Sequence, residues 1–364
     1  MRRALALAAR GRYRTSPNPM VGAVLLRDGV RVGEGFHRRV GGPHAEVEAL
    51  AAAGPEAARG ATLFVTLEPC AHHGRTPPCT EAIVAAGIAR VVVAHRDPDP
   101  RVRGAGLARL RAAGIEIEEG RLAAEAVRLN LRYLVPKLLG RPLVTLKWAA
   151  SLDGKIATAT GESQWITSQA ARRWALALRE EHDAVLVGSG TALADDPLLD
   201  RRLGLAGAPG WRVILDRRLR LRPEARIFTG GGPVLLYTET AAGPAWEPLV
   251  ARGARIIRLA TVTPETVLDD LAERGIGSVL VEGGGETLAA FAEAGLCDRV
   301  TGALAPLLIG GRNAPGPLGG RGRLRLDEAL RVEGLRWRRH GVDLVFEGVR
   351  EGCLPALCAS VGAS

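Results

Sequence analysis

The chain's strongest constraint on its own fold is a rhythm. Short apolar, β-branched runs alternate with stretches of helical spacing, twice over, on either side of the proline- and glycine-punctuated segment "PKLLGRP" (136–142). In the first half, residues 2–12 read as a helix and 20–37 as a hairpin turned at Asp28-Gly29. A helix over 44–54 ends at Gly54, a strand follows over 61–69, and 77–88 is a helix with proline near its start. Strand 90–98, helix then strand over 104–120, and helix 122–135 complete it. The second half repeats the alternation with different spacing, from "LVTLKWA" (143–149) to "DRVTGALAPLLIGG" (298–311). Alternation of this kind means an α/β layer fold with a largely parallel or mixed sheet in each half. At 364 residues the chain exceeds one ordinary core, and two domains of roughly 130 to 220 residues are expected. We place them at 1–138 and 139–350, with 351–364 as an unstructured tail.

Composition narrows the function classes. The formal charge of +10 raises nucleic acid as a partner, but the only lysines are Lys137, Lys147 and Lys155, and arginine is spread from end to end. Aromatic residues are 4% of the chain, too few for a basic–aromatic nucleic-acid platform. Scattered arginines instead suit small anionic substrates, phosphates above all. Five cysteines make no even disulfide framework, which points to a reducing cytoplasm. With no basic-apolar leader and no run of eighteen apolar residues, neither secretion nor a membrane partner is expected.

The chemistry concentrates in two short stretches, "GGPHAEVEAL" (41–50) and "TLEPCAHHGRTPPCT" (66–80). His44, Cys70 and Cys79 supply one imidazole and two thiolates, the donors zinc prefers, and three protein ligands leave a fourth position for water. A closed structural site would need a fourth Cys or His. Here Glu46 stands two positions from His44, placed to move protons as the non-ligand glutamate of zinc deaminases does. The spacing departs from H-x-E…P-C-x-x-C: Pro69 precedes Cys70, but eight residues separate the cysteines, and His72 and His73 between them are rival ligands or substrate contacts. In "SPNPMVGAV" (16–24), Asn18 sits between two prolines that fix its backbone, and its amide can donate and accept along the edge of a heterocycle. Taken singly, each residue is an ordinary surface or core position; together they make a catalytic zinc site.

"TSPNPMVGAVLLRDG", "PHAEVEAL" and "VTLEPCAHHGRTPPCTEAIVAAGI" resemble the deaminase half of the bifunctional deaminase–reductase family of riboflavin biosynthesis, which carries the lengthened Cys-to-Cys loop. "LKWAASLDGKIATATGESQWITS" (146–168) and "AVLVGSGTALADDPLL" (184–199) resemble its reductase half. The likeness spans roughly residues 1–350. It departs at the start, where Met1 adjoins the first helix as if a leading acidic turn were missing; that touches the helix cap, not the site. The resemblance implies a cytidine-deaminase-like α/β/α domain followed by a dihydrofolate-reductase-like α/β domain. It implies one zinc per chain, NADPH, and a small phosphorylated pyrimidine as substrate. Deamination at C2 of a diaminopyrimidinone ribosylamine phosphate would precede reduction of its ribose to a ribityl chain. By the same resemblance Ala149, Trp165, Thr191, Asp195, Gly283, Gly284, Gly285, Glu286 and Thr287 would touch NADPH. Ser163, Arg179, Leu199, Arg202 and Glu282 would touch the ribosyl-phosphate substrate.

From the residues alone, "VEGGGETLAAF" (281–291) is strand, glycines, helix, suited to a phosphate yet not a dinucleotide fingerprint. Lys147 alternates with Trp148 along a strand and is a further candidate for binding or polarising the substrate. A homo-oligomer is expected. Two other readings stand beside this one: a base deaminase acting on RNA with a C-terminal binding domain, and a zinc-stabilised binding module without turnover, in which Glu46 would have no task.

Overall fold

A computed structural model describes residues 1–72, 77–100 and 102–362. The chain forms two compact units, Met1–Gly140 with Gly352–Ser364, and Arg141–Glu351.

The first unit runs α1 (Arg2–Ala8), β1 (Gly22–Arg27), β2 (Val30–Phe36), α2 (Ala45–Ala58), β3 (Thr62–Val65), α3 (Cys79–Ala85), β4 (Arg90–Val93), α4 (Ala105–Ala112), β5 (Glu116–Glu119), α5 (Ala123–Leu129) and α6 (Leu131–Leu139). Met1 occupies the cap position of α1 without a side-chain cap bond. The sheet order is β2-β1-β3-β4-β5, with β1 antiparallel to both neighbours and β3, β4 and β5 parallel. Asp28 (φ 52°) and Gly29 (φ 77°) both take left-handed conformations, as a two-residue hairpin that follows strand twist requires. The sheet meets α2 through small residues. A Cβ on Gly35 would lie 2.6 Å from the Ala45 oxygen, and one on Gly33 would lie 2.3 Å from the Ala49 oxygen. Glycine on β2 thus lets the start of α2 sit directly on the strand. Ala45, Ala49, Leu63, Val65, Ile83, Val93 and Leu107 fill the core between them. Gly54 (φ 74°, ψ 162°) ends the regular part of α2, and one more turn follows from Pro55.

Two boundaries correct the sequence reading. Residues 136–139 of the expected linker are helical, because α6 runs through Pro136 and stops only at Gly140 (φ 68°). Burial of Leu131, Leu134 and Val135 outweighs the proline's penalty of about 3 kcal/mol. The expected unstructured tail contains a helix, Cys353–Ser360, belonging to the first unit. Cys353, Leu357 and Val361, four residues apart, are buried on the side that packs against α5 and α6. The Val361 oxygen accepts a bond from the Arg96 amide (3.4 Å).

The second unit contains β6 (Leu143–Ser151), α7 (Gln169–Glu181), β7 (Ala184–Gly188), α8 (Ser189–Asp195), β8 (Trp211–Leu215), β9 (Val234–Thr238), α9 (Glu247–Ala251), β10 (Ala254–Arg258), α10 (Pro264–Glu273), β11 (Ser278–Val281), α11 (Gly285–Glu293), β12 (Arg299–Ala305), β13 (Val332–His340) and β14 (Asp343–Arg350); the tail helix Cys353–Ser360 is α12. Its nine strands lie in the order β10-β9-β8-β7-β11-β6-β12-β14-β13. The first seven are parallel, and the β13–β14 hairpin adds an antiparallel edge. Parallel strands covered on both faces read as near-continuous apolar runs, and β7 and β9 are buried along their whole length. The carboxyl ends of β6, β7 and β11 face the starts of α8 and α11, where ligands of open α/β sheets bind.

Candidate functional site

The first unit holds a cavity of about 550 Å³ lined by Asn18, His37, His44, Glu46, Cys70, His72, Asp97, Tyr133 and Lys137, among others. His44 occupies the extended cap position of α2 and Cys79 opens α3, so two helix starts bring their ligands together while Cys70 follows β3. Ligand atoms of His44, Cys70 and Cys79 all lie within 4.8 Å of one another. His44 Nδ1 is 2.9 Å from Cys79 Sγ and 3.6 Å from Cys70 Sγ. Tetrahedral zinc with bonds near 2.0 and 2.3 Å would separate nitrogen from sulfur by about 3.6 Å. Hydrogen bonds from Cys79 and His44 pull the Cys70 thiol down to about 4, whereas its bond to Cys70 and burial push Cys79 up. A cation between the two sulfurs would allow both to be thiolates. The donor set fits zinc.

Glu46, in the first turn of α2, is 3% exposed. Burial raises its pKa, against the lowering influence of His44. That is the state expected of a carboxyl that must both take up and release a proton. Asn18 Nδ2 lies 3.2 Å from His37 Nε2, and His37 Nδ1 lies 3.0 Å from the Pro43 oxygen. A carbonyl accepts only, so Nδ1 carries the proton and Nε2 accepts from Asn18. Burial lowers the His37 pKa and keeps the ring neutral, which fixes the orientation of the Asn18 amide. His72 lines the cavity but stands outside the three-ligand cluster; His73 lies outside the described residues.

Sequence reasoning missed His37, Asp97, Tyr133 and Lys137. Burial pushes Asp97 up to about 6, while the Tyr133 hydroxyl donates to it at 2.8 Å. Its loop is set by Glu68, whose buried carboxylate accepts from the amides of Asp97, Gly104, Gly106 and Leu107. The available signal was "TLEP", a glutamate in an apolar strand end with no water to satisfy it.

In the second unit, two cavities of about 610 and 700 Å³ share Ile156, Ser163, Thr191, Asp195 and Gly284. The first gathers Lys147, Ala149, Trp165, Arg179, Leu199, Arg202, Glu282 and Gly283. Arg179 forms a two-pronged pair with Glu282, both bonds 2.9 Å, and Lys147 Nζ stands 3.7 Å from the same carboxylate. Leu199 is buried, with φ 52°; Trp165 is exposed under the Arg172 guanidinium, 4.5 Å from its ring centre. Burial raises the Asp195 pKa.

The second cavity gathers Gly285, Glu286 and Thr287 with Gly188, Gly190, Arg217, Arg218 and Arg220. A Cβ on Gly188 would meet Thr287 Oγ1 at 2.3 Å, and the Gly284 amide donates to Thr191 Oγ1 at 2.8 Å. Bare backbone at two facing turns, next to three arginines, fits a dinucleotide carrying an extra phosphate. All the expected reductase residues therefore line these two cavities, while Asn18 lines the cavity that holds His44, Glu46 and Cys70. The arginines of "DRRLRLRPEAR" (216–226) were missed, since arginine clusters recur throughout this chain.

A family model described as the RibD C-terminal domain matches residues 142–346, and one described as the cytidine and deoxycytidylate deaminase zinc-binding region matches residues 1–95. The first match displaces the reading of residues beyond 140 as an RNA-binding domain. The riboflavin biosynthesis protein RibD of Bacillus amyloliquefaciens is 46% identical over 355 residues, covering 96% of this chain and 95% of that one. Among solved structures, RibD of Acinetobacter baumannii has a TM-score of 0.84 at 39% identity, covering 96% of this chain and 97% of its own. The Thermotoga maritima diaminohydroxyphosphoribosylaminopyrimidine deaminase/5-amino-6-(5-phosphoribosylamino)uracil reductase has a TM-score of 0.82 at 38% identity, with the same coverage. With a zinc-binding deaminase unit at one end and an NADPH-using reductase unit at the other, the chain belongs to the RibD family of bifunctional deaminase–reductases of riboflavin biosynthesis.

Proposed function

We propose that the first unit hydrolyses the C2 amino group of 2,5-diamino-6-ribosylamino-4(3H)-pyrimidinone 5′-phosphate, and that the second reduces the ribosyl group of the product to ribityl. One observation carries the first step: a fully buried glutamate, Glu46, beside a His–Cys–Cys cluster in a cavity that also presents the Asn18 amide. Held by His44, Cys70 and Cys79, zinc would supply the Lewis acidity that lowers the pKa of a water molecule. Glu46 would take up the proton released as water adds to C2 and hand protons to the ring nitrogen and the departing amine, so that ammonia leaves and a carbonyl remains. The buried position of Glu46 keeps bulk water from competing for those protons. Asn18, its orientation fixed by His37, reads the pyrimidine edge.

Bound in the second unit, NADPH would supply the hydride for reduction at C1′ of the ribose. Ala149, Trp165, Thr191, Asp195 and Gly283 to Thr287 hold the cofactor, with Arg217, Arg218 and Arg220 placed for its extra phosphate. Ser163, Leu199, Arg202 and Glu282 hold the ribosyl phosphate. Arg179, paired with Glu282, acts on the substrate chiefly by presenting that carboxylate. No helix among the described residues is long and apolar enough to cross a membrane. A cytoplasmic homo-oligomer that binds no nucleic acid completes the reading. Leu324 and Leu326, 93% and 90% exposed, and Trp337 on the edge strand β13 support self-association.

The test is Glu46→Gln. Ammonia release should fall by about 10² to 10⁴, the usual weight of a positioned proton shuttle, while NADPH oxidation on the already deaminated substrate stays intact. Equal loss of both activities would show that the two units do not carry separate chemistries.

A further inference from the structure

The 610 Å³ cavity is lined by five cationic side chains, Lys147, Arg172, Arg179, Arg202 and Arg226, and their surroundings sort them. Arg179 has two of its N–H groups spent on Glu282, and Lys147 leans on the same carboxylate. Arg172 donates to the Thr167 oxygen and stacks on Trp165. Arg202 contacts Asp200 through one nitrogen at 3.1 Å, which leaves most of its fork available. Arg226 is exposed, and its guanidinium has no hydrogen-bond or ion-pair partner among the described residues. Sequence reasoning did not single it out.

The backbone of Arg226 is as constrained as its side chain is free. Its amide donates to Asp196 Oδ1 at 2.8 Å. The next residue, Ile227, is buried, and its oxygen accepts from Arg212, a buried arginine that also reaches the Gly232 oxygen. Arg212 Nη1 lies 3.5 Å from the Leu198 oxygen as well. The turn at 226–228 is thereby stitched to the segment 196–202 that carries Arg202. That segment is strained: Asp196 (φ 39°) and Leu199 (φ 52°) are left-handed without being glycine. Glu180 holds its far end through the amides of Leu203 and Ala206. A strained loop anchored at both ends thus carries Arg202 into the same cavity as the unpaired Arg226, an arrangement suited to clamping an anion.

We propose that Arg226 is a phosphate-binding residue of the reductase unit, closing on the 5′-phosphate of the ribosyl substrate opposite Arg202. The proposal rests on the reading of this cavity as the site of the phosphorylated substrate. Removing one exposed charge-assisted contact should weaken binding roughly 5- to 20-fold. Steady-state NADPH oxidation by the full chain would be measured with the deaminated ribosylamino-pyrimidine phosphate and with its dephosphorylated analogue. Arg226→Ala, Arg226→Lys and Arg202→Ala would be compared with the unaltered chain. Arg226→Ala should raise KM for the phosphorylated substrate by that factor and leave KM for NADPH unchanged. It should have no effect on the dephosphorylated analogue, and Arg226→Lys should recover part of the loss. Equal weakening toward both substrates would assign Arg226 a structural role and overturn the proposal. An effect of Arg202→Ala alone on the phosphate preference would remove Arg226 from the site. No effect of either alanine variant on that preference would refute the phosphate reading of the cavity itself.

Discussion

Glu282 decides the electrostatics of the reductase cavity. Burial alone would raise its pKa, but Arg179 and Lys147 outweigh that and hold it at about 2. A carboxylate whose folded-state pKa is depressed contributes stability above its unfolded value, near 4.3, and loses it as pH falls through that value toward 2. Glu282→Gln leaves Arg179 buried with half a partner, a change that typically costs about 3–5 kcal/mol at neutral pH. The wild-type advantage should then shrink as the solution is acidified from about pH 4.5 to 2. All six tryptophans lie in the second unit, so denaturant unfolding followed by tryptophan fluorescence reads that unit alone. A wild-type advantage that persists undiminished to pH 2 would show that ionisation of Glu282 is not its source. At this scale the sequence was legible where chemistry dictates spacing. The fold brings ligand atoms of His44, Cys70 and Cys79 within 4.8 Å of one another, and Glu46 lines the same cavity as His44 and Cys70. His37, Asp97 and Arg226 carry no such spacing. Each is an ordinary residue that a strand end or turn delivers to a cavity, and only the fold supplies the neighbours that give it a task.

Elements were legible when a local rule had to be obeyed. Asp28-Gly29 turns a hairpin because both positions need left-handed backbone. β13 escaped notice because an edge strand exposed on both faces, "VEGLRWRRH", has no burial to impose alternation. The metal site depends on a contact between elements that no local rule announces. Gly106 in the first turn of α4 lies against the residue before Cys70: a Cβ there would sit 1.9 Å from the Pro69 oxygen and 3.2 Å from Glu68 Oε1. Backbone cannot yield to that overlap as a flexible side chain would. Gly106→Ala should therefore destabilise the first unit by about 1–3 kcal/mol or more and displace Pro69-Cys70 from the cluster. Metal analysis of the purified variant should show zinc well below one per chain. Full zinc content with unchanged unfolding would mean that α4 does not hold Cys70 in place.

For the whole molecule, two alternating α/β halves could be read from sequence because each buried sheet must repeat its apolar runs. What chain order conceals is that the first unit is discontinuous. It is completed by α12, more than two hundred residues beyond its other elements. The period-four apolar spacing of Cys353, Leu357 and Val361 is a helix signal, but nothing in sequence says which core receives it. Burial of Leu357 and Val361 alone is worth about 3–6 kcal/mol as an upper estimate. Loss of α12 also strips the Arg96 amide, next to Asp97, of its partner at Val361. A chain ending at Glu351 should consequently fail selectively. Its tryptophan unfolding curve and NADPH oxidation on deaminated substrate should match the full chain, because every tryptophan and every reductase cavity residue lies within 141–351. Zinc release, followed with a chromogenic chelator, should shift to lower denaturant, and ammonia release should fall. Coincident zinc-release curves for the two chains would show that α12 only rests on the first unit, while a shifted tryptophan curve would assign the helix to the second.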